Sequence, residues 1–177
     1  MSQFDHTPSE KEIKMKNSLT TRLYAVFVLF FAFASMSFAD TGFLQKEINC
    51  LAQNIYFEAN SEPEEGKVAV AQVTVNRTNN AKYPSTVCKV VHQRATVSNE
   101  VICQFSWACS KKKSAKMNAA DYLIAQQIAE QVLTDNRNIP KLKNALYFHS
   151  KQVNPRWNLV RVATIGNHVF YRERSSM

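Results

Sequence analysis

The sequence predicts an α+β domain in which helices come first and a small antiparallel sheet or hairpin comes last. Two patterns carry that class. Apolar residues recur at helical spacing from Leu44 to Val132, and β-rich segments flank a Gly166-Asn167 turn signal near the C-terminus. With 177 residues the chain can build one domain with a substantial core. It contains no internal repeat and no long Gly/Ser linker.

The first third is unlike the rest. Residues 1–16 are polar and mixed in charge. Leu23–Phe38 is an apolar run of 16, short of the roughly 20 that a membrane span needs. Lys14, Lys16 and Arg22 precede the run, and Ser37-Phe38-Ala39 ends it before Asp40. Basic segment, apolar segment and small-x-Ala form the pattern of a secretory signal peptide. Met15 opens a signal of 25 residues, 15–39, which leaves 1–14 as an upstream extension. An uncleaved N-terminal anchor is the alternative. The exported domain is then 40–177.

A first helix is predicted over about 42–59. Ser61-Glu62-Pro63-Glu64 reads as a capping box with Pro63 in the first turn. It opens a second helix over about 62–77. Val68-Ala-Val-Ala-Gln-Val-Thr-Val75 is apolar nearly all round, which suits a central buried helix; a strand is the competing reading. Pro84-Ser85 starts a short helix through His92. Residues 93–117 read as an irregular loop pinned by a disulfide. Asn118 caps a helix to about Asp135, with Leu123, Ile124, Ile128 and Val132 facing inward. Strands are predicted over 145–149 and 160–165, and 169–171 returns after the Gly166-Asn167 turn.

All four cysteines, Cys50, Cys88, Cys103 and Cys109, fall in the exported part. An even count there reads as two disulfides, with three connectivities possible, and Cys103–Cys109 with Cys50–Cys88 is the favoured set. The only close pair is Cys-x5-Cys, which does not suit zinc, so no metal or other cofactor is expected. Residues 40–177 carry 18 Lys and Arg against 11 Asp and Glu, a net +7. Such a charge suits an anionic partner such as a cell wall or a membrane surface. Lys111–Lys113 and Lys116 cluster without a recognition module, so nucleic acid is not an expected partner. They read as a solvated loop.

Glu58 is the residue that stands out. Leu44, Ile48, Leu51, Ile55 and Glu58 fall within roughly 80° of arc on one helix. A carboxylate ending an apolar stripe is costly unless paired, protonated or used. Desolvation there raises its pKa toward the range of a general acid. The competing role is a residue fraying into water at the helix end.

Several segments together resemble the SleB-type cell wall hydrolases, the spore-cortex-lytic enzymes and their exported relatives. They are Asn54-Ile-Tyr-Phe-Glu58-Ala, Glu62-Pro-Glu-Glu-Gly-Lys-Val-Ala-Val-Ala71, Val75-Asn-Arg77 and Tyr83-Pro-Ser-Thr-Val-Cys88, then Gln104-Phe-Ser-Trp107 and Ile165-Gly-Asn-His-Val-Phe-Tyr171. They occur in the family's order, and the cysteines are similar to those of its Gram-negative, periplasmic branch. The resemblance implies a lysozyme-like helical core, cleavage of peptidoglycan glycan strands, and Glu58 as the catalytic acid. It also implies a periplasmic or secreted monomer that meets the membrane only through its signal or anchor. The chain departs from the pattern at Asn60-Ser61, where relatives carry Arg-Gly, and at Ser110-Lys111, where many carry Asp-Gly.

Glycosidic cleavage needs a proton on the leaving oxygen and stabilisation of an oxocarbenium-like state. Glu58 can supply the proton. Glu62 is the nearest candidate for a second carboxylate, but it and Glu64 read more simply as first-turn residues that complement a helix dipole. A single carboxylate favours a lytic transglycosylase over a muramidase. Phe105 and Trp107 are candidate sugar platforms with Gln104 and Ser106 as polar neighbours, or else core. Asn76 is a candidate to orient Glu58 or bind an N-acetyl group, or a helix cap. Tyr56 is a cleft wall or core residue. Two other function classes remain: a non-catalytic wall-binding module of the same fold, and a zinc amidase or peptidase using His149 and His168.

Overall fold

A computed structural model describes residues 40–110 and 117–174. The chain divides into two units, Met1–Phe43 and Leu44–Met177. Only residues 40–43 of the first are described, as helix, and the labelled helices and strands all belong to the second. The signal peptide expected within 1–39 and the lysines at 111–113 and 116 lie outside the described residues.

The α+β class is present in the predicted order. Helix α1 (44–59) buries Ile48, Leu51 and Ile55, the stripe that leads to Glu58. Leu44, at its start, is exposed. Helix α2 (Glu64–Thr78) runs through the centre of the fold, with eight residues buried between Gly66 and Thr74 and Arg77 buried beyond them. Its valine run is therefore helical. Helices on one side and the C-terminal sheet on the other cover it, as an apolar segment of this kind requires. One core joins α1 and α2 to helix α5 (Ala119–Thr134), and a second joins α2 to the C-terminal sheet. Between α1 and α2 a buried amide–hydroxyl bond, Asn54 Nδ2 to Thr74 Oγ1 at 3.0 Å, fixes the crossing.

The predicted capping box does not form. Pro63 is the N-cap of α2, and no side chain bonds there. Pro63 supplies its carbonyl to the N–H groups of Gly66 and Lys67 at 2.9 and 3.1 Å. Its ring presets the entry dihedral, so the serine is not needed. Helix α3 (Val87–Val91) is capped by the Thr86 hydroxyl, and the buried Glu47 of α1 accepts the Val87 N–H at 2.5 Å. A Cys50–Cys88 disulfide joins the same two helices.

Residues 93–110 are more regular than expected. Strands β1 (Arg94–Val97) and β2 (Glu100–Cys103) form a hairpin, and helix α4 (Ser106–Cys109) comes next, closed by the Cys103–Cys109 disulfide. Ser98 and Asn99 turn the hairpin at φ 51° and 67°, the double positive φ of a type I′ turn. Both strands are solvent-exposed apart from the half-buried Cys103, so they lack the in–out alternation that marks a strand in sequence.

Asn118 caps α5 as predicted, accepting from the Ala120 and Asp121 N–H groups at 2.9 and 3.1 Å. The inward stripe, however, is Ala125, Ile128, Ala129 and Val132. Leu123 and Ile124 are 54% and 46% exposed. Ala125, Ile128, Ala129 and Val132, at i, i+3, i+4 and i+7, set the face, and Leu123 and Ile124 fall outside its arc.

The C-terminal sheet has the order β3-β5-β4, with β3 Tyr147–Ser150, β4 Val160–Ile165 and β5 His168–Arg172, all antiparallel. Gly166-Asn167 is the turn between β4 and β5, with Gly166 at φ 57°. Phe170 is fully buried against α2, beside Val70, Val73 and Leu142.

Candidate active site

Glu58 lies in the last turn of α1 and is half-buried. Burial pushes its carboxyl pKa up, and the Arg77 cation pulls it partly back. Arg77, near the end of α2, is only 4% exposed. Its Nε donates to the Leu146 carbonyl at 2.9 Å. The guanidinium carbon sits 5.3 Å from the Tyr83 ring centre and 5.4 Å from that of Phe105. Its Nη1 is buried with no hydrogen-bond partner. A permanent cation held dry behind a desolvated carboxyl opposes the rise in pKa and stabilises the anion that proton donation leaves. Arg77 has no helical-stripe signature, because its importance comes from burial and not from periodicity.

The sign of the Glu58 shift gives a stability test. A carboxyl whose folded pKa is raised destabilises the fold once pH exceeds its unfolded value, and the penalty saturates above the folded value. Glu58→Gln removes that penalty. The variant is expected to melt above wild type at pH 8, with the difference vanishing below about pH 4. Equal melting temperatures at both pH values would show that burial does not act on Glu58.

The helix end that carries Glu58 is held from two sides. The Tyr56 hydroxyl accepts the Asn118 N–H at 3.0 Å, and Asn60 Nδ2 donates to Asp121 Oδ2 at 3.2 Å. Both bonds reach the first turn of α5. Asn60 thus has a positional role of its own. Phe57, exposed beside Glu58, stacks on Trp107 with ring centres 4.6 Å apart and planes 23° apart. Tyr56 meets Phe57 edge-on at 5.2 Å.

The other candidates divide. Trp107 is half-buried, while Gln104 and Ser106, on either side of Phe105, are exposed. Phe105 is buried against Arg77, so it is core and not a platform. Asn76 Nδ2 donates to the carbonyls of Leu142 and Ala145 at 2.7 and 2.8 Å, which ties down the approach to β3. His149 and His168 project from opposite faces of the sheet. His149 stacks on Tyr171 outside, and His168 meets Phe148 and Glu62 inside, so they do not converge on one ion. Among the described residues no group of three His, Cys, Asp or Glu side chains could hold a metal.

Glu62 does not complement the α2 dipole from its first turn. It precedes the helix, its side chain is 4% exposed, and it accepts the Asn167 backbone N–H at 2.7 Å and the Asn167 amide at 3.1 Å. His168 Nδ1 lies 3.8 Å away. Glu62 therefore latches the β4–β5 turn to the start of α2 and is committed to that structural role. A Cβ on Gly166 would stand 1.9 Å from Glu62 Oε2, at a φ of 57°. Gly166→Ala is expected to cost about 2–3 kcal/mol, from left-handed backbone strain and a displaced buried carboxylate. A urea midpoint equal to wild type would refute the latch.

Comparison with known proteins yields three findings. The family profile described as Cell Wall Hydrolase matches residues 61–171. The match starts three residues after Glu58, so the family and the Glu58 geometry are independent observations. The spore cortex-lytic enzyme of Oceanobacillus iheyensis is 46% identical over 52 residues, 29% of this chain and 19% of that protein. The spore cortex-lytic enzyme of Bacillus subtilis is 27% identical over 133 residues, 73% of this chain and 38% of that protein. The chain thus spans less than half the length of these curated relatives. Two solved structures share the fold at 24% identity. The catalytic domain of the Bacillus cereus SleB protein superposes with TM-score 0.53, over 72% of this chain and 91% of that one. The catalytic domain of the germination-specific lytic transglycosylase SleB from Bacillus anthracis gives 0.56, over 71% and 93%.

Proposed function

Since the chain belongs to the cell wall hydrolase family, we propose that residues 40–177 are a catalytic domain that cleaves the glycan strands of peptidoglycan, with Glu58 as general acid and then general base. The observation that carries this reading is the placement of Glu58. It is a half-buried carboxyl at the end of an apolar stripe, raised in pKa by desolvation and backed by the buried Arg77 cation. A raised carboxyl retains its proton closer to neutral pH, which is what protonating a leaving oxygen requires.

The commitment of Glu62 to the β4–β5 turn favours transglycosylation over hydrolysis. Glu58 gives its proton to the glycosidic oxygen as the bond from that oxygen to C1 breaks. The resulting carboxylate takes the proton of the muramic 6-hydroxyl, and O6 closes on C1. Glu58 is regenerated in its protonated form, and no water is consumed. Arg77 stabilises the intermediate carboxylate. Phe57 and Trp107 form an aromatic wall beside the acid against which a sugar ring can lie. The B. anthracis relative named a lytic transglycosylase supports the same outcome.

Two disulfides support a location outside the reducing cytoplasm, periplasmic or secreted, with residues 1–39 as the export signal or membrane anchor. Mass spectrometry of digested sacculi tests the chemistry. Products ending in 1,6-anhydromuramic acid are expected, and reducing ends alone would reject transglycosylation.

A further inference from the structure

The outer face of the C-terminal sheet carries an aromatic corner built around Trp157. We propose that this corner is a second sugar-binding position, where the glycan strand stacks on Trp157 away from the bond being cut. It rests on the glycan-cleaving reading of the Glu58 site.

Trp157 is 43% exposed, although three rings hold it. It meets His149 and Tyr171 edge-on, with ring centres 5.3 and 5.6 Å away and planes at 80° and 82°. Tyr147 lies 6.1 Å away at 58°. His149 and Tyr171 stack on each other at 5.2 Å and 25°. The indole thus stands upright on a flat aromatic floor and offers an open face beside it.

Hydrogen bonds fix this floor. His149 Nδ1 lies 2.9 Å from the Ser150 carbonyl, and Nε2 lies 2.9 Å from the Tyr171 hydroxyl. A carbonyl only accepts, so Nδ1 carries the proton and Tyr171 donates to Nε2. The loop bearing Trp157 is anchored where it leaves β3, by Lys151 N–H to the Asn167 carbonyl at 2.8 Å and Val153 N–H to the Ser150 carbonyl at 3.0 Å. An indole ordered by three rings and still 43% exposed is a prepared apolar surface. Its geometry matches the apolar face of a pyranose, whose C–H groups pack on an indole while the hydroxyls stay in water.

The corner is connected to the acid site. Tyr147 neighbours Tyr83, Tyr83 underlies Arg77, and Arg77 acts on Glu58. A polymeric substrate extends beyond the sugars at the cleaved bond, so a second stacking position adds affinity without touching the chemistry.

Co-sedimentation with purified sacculi tests this, using the non-cleaving Glu58→Gln protein at moderate salt to suppress charge-driven adsorption. Trp157→Ala in that background is expected to weaken binding about tenfold, roughly the worth of one aromatic stacking contact. Trp157→Leu, which keeps apolar packing on the floor but removes the ring face, is expected to do the same. In the active protein, Trp157→Leu is expected to raise KM for sacculi with kcat nearly unchanged. Parent-like binding by either folded variant overturns the proposal. So does loss of binding only to sacculi that retain peptide stems, with full binding to stem-free glycan. Sacculus cleavage that survives Glu58→Gln would instead reject the catalytic reading and leave the Trp157 result to stand by itself.

Discussion

Glu58→Gln is expected to lower the rate of sacculus solubilisation by about 10²–10⁴-fold, the usual contribution of a positioned acid or base. Glutamine keeps the size and polarity of the side chain and removes only its proton chemistry. Binding to sacculi should persist, and the folded protein should be no less stable than wild type. Activity of the wild type should fall as pH rises through the elevated Glu58 pKa, because the acid must start protonated. Two outcomes reject this reading. Undiminished cleavage by Glu58→Gln assigns the chemistry to another residue. Near-zero cleavage by both proteins, with binding intact, identifies a wall-binding module.

Loss of the Cys50–Cys88 disulfide carries the largest expected change in stability. The bridge closes a loop of 38 residues between α1 and α3, which the chain-entropy relation values at about 4 kcal/mol. Cys103–Cys109 closes only 6 residues, worth about 2 kcal/mol on the same relation. The double variant Cys50→Ser/Cys88→Ser should therefore show a much lower urea midpoint than Cys103→Ser/Cys109→Ser. Equal losses from the two variants would show that loop length does not govern their contribution.

Local features were legible in the sequence. The α1 stripe ending at Glu58, the Asn118 cap, the Gly166-Asn167 turn and the central burial of α2 each depend on residues within a few positions of one another. What stayed hidden depends on partners far along the chain. Glu62 reads as a first-turn carboxylate until Asn167, 105 positions later, is brought against it. Arg77 reads as a helix terminus until Tyr83 and Phe105 enclose it. The β1–β2 hairpin lacks a buried face and a glycine in its turn, so neither signal was available. Leu123 and Ile124 misled because hydrophobicity alone does not reveal which arc of a helix meets its neighbours. The same rule placed Phe105 and Trp107 in one group, although the fold buries the first and leaves the second beside Glu58.

The Glu62 latch also constrains the order in which the molecule can be assembled. Glu62 emerges early in synthesis, and its hydrogen-bonding partner belongs to the last hairpin. Until that hairpin arrives, the turn that covers the Glu62 carboxylate is missing and the group stays in water. The helices can pack first, but the start of α2 stays unlatched until the turn docks on Glu62. The latched form is reached only once residues 166–172 have emerged.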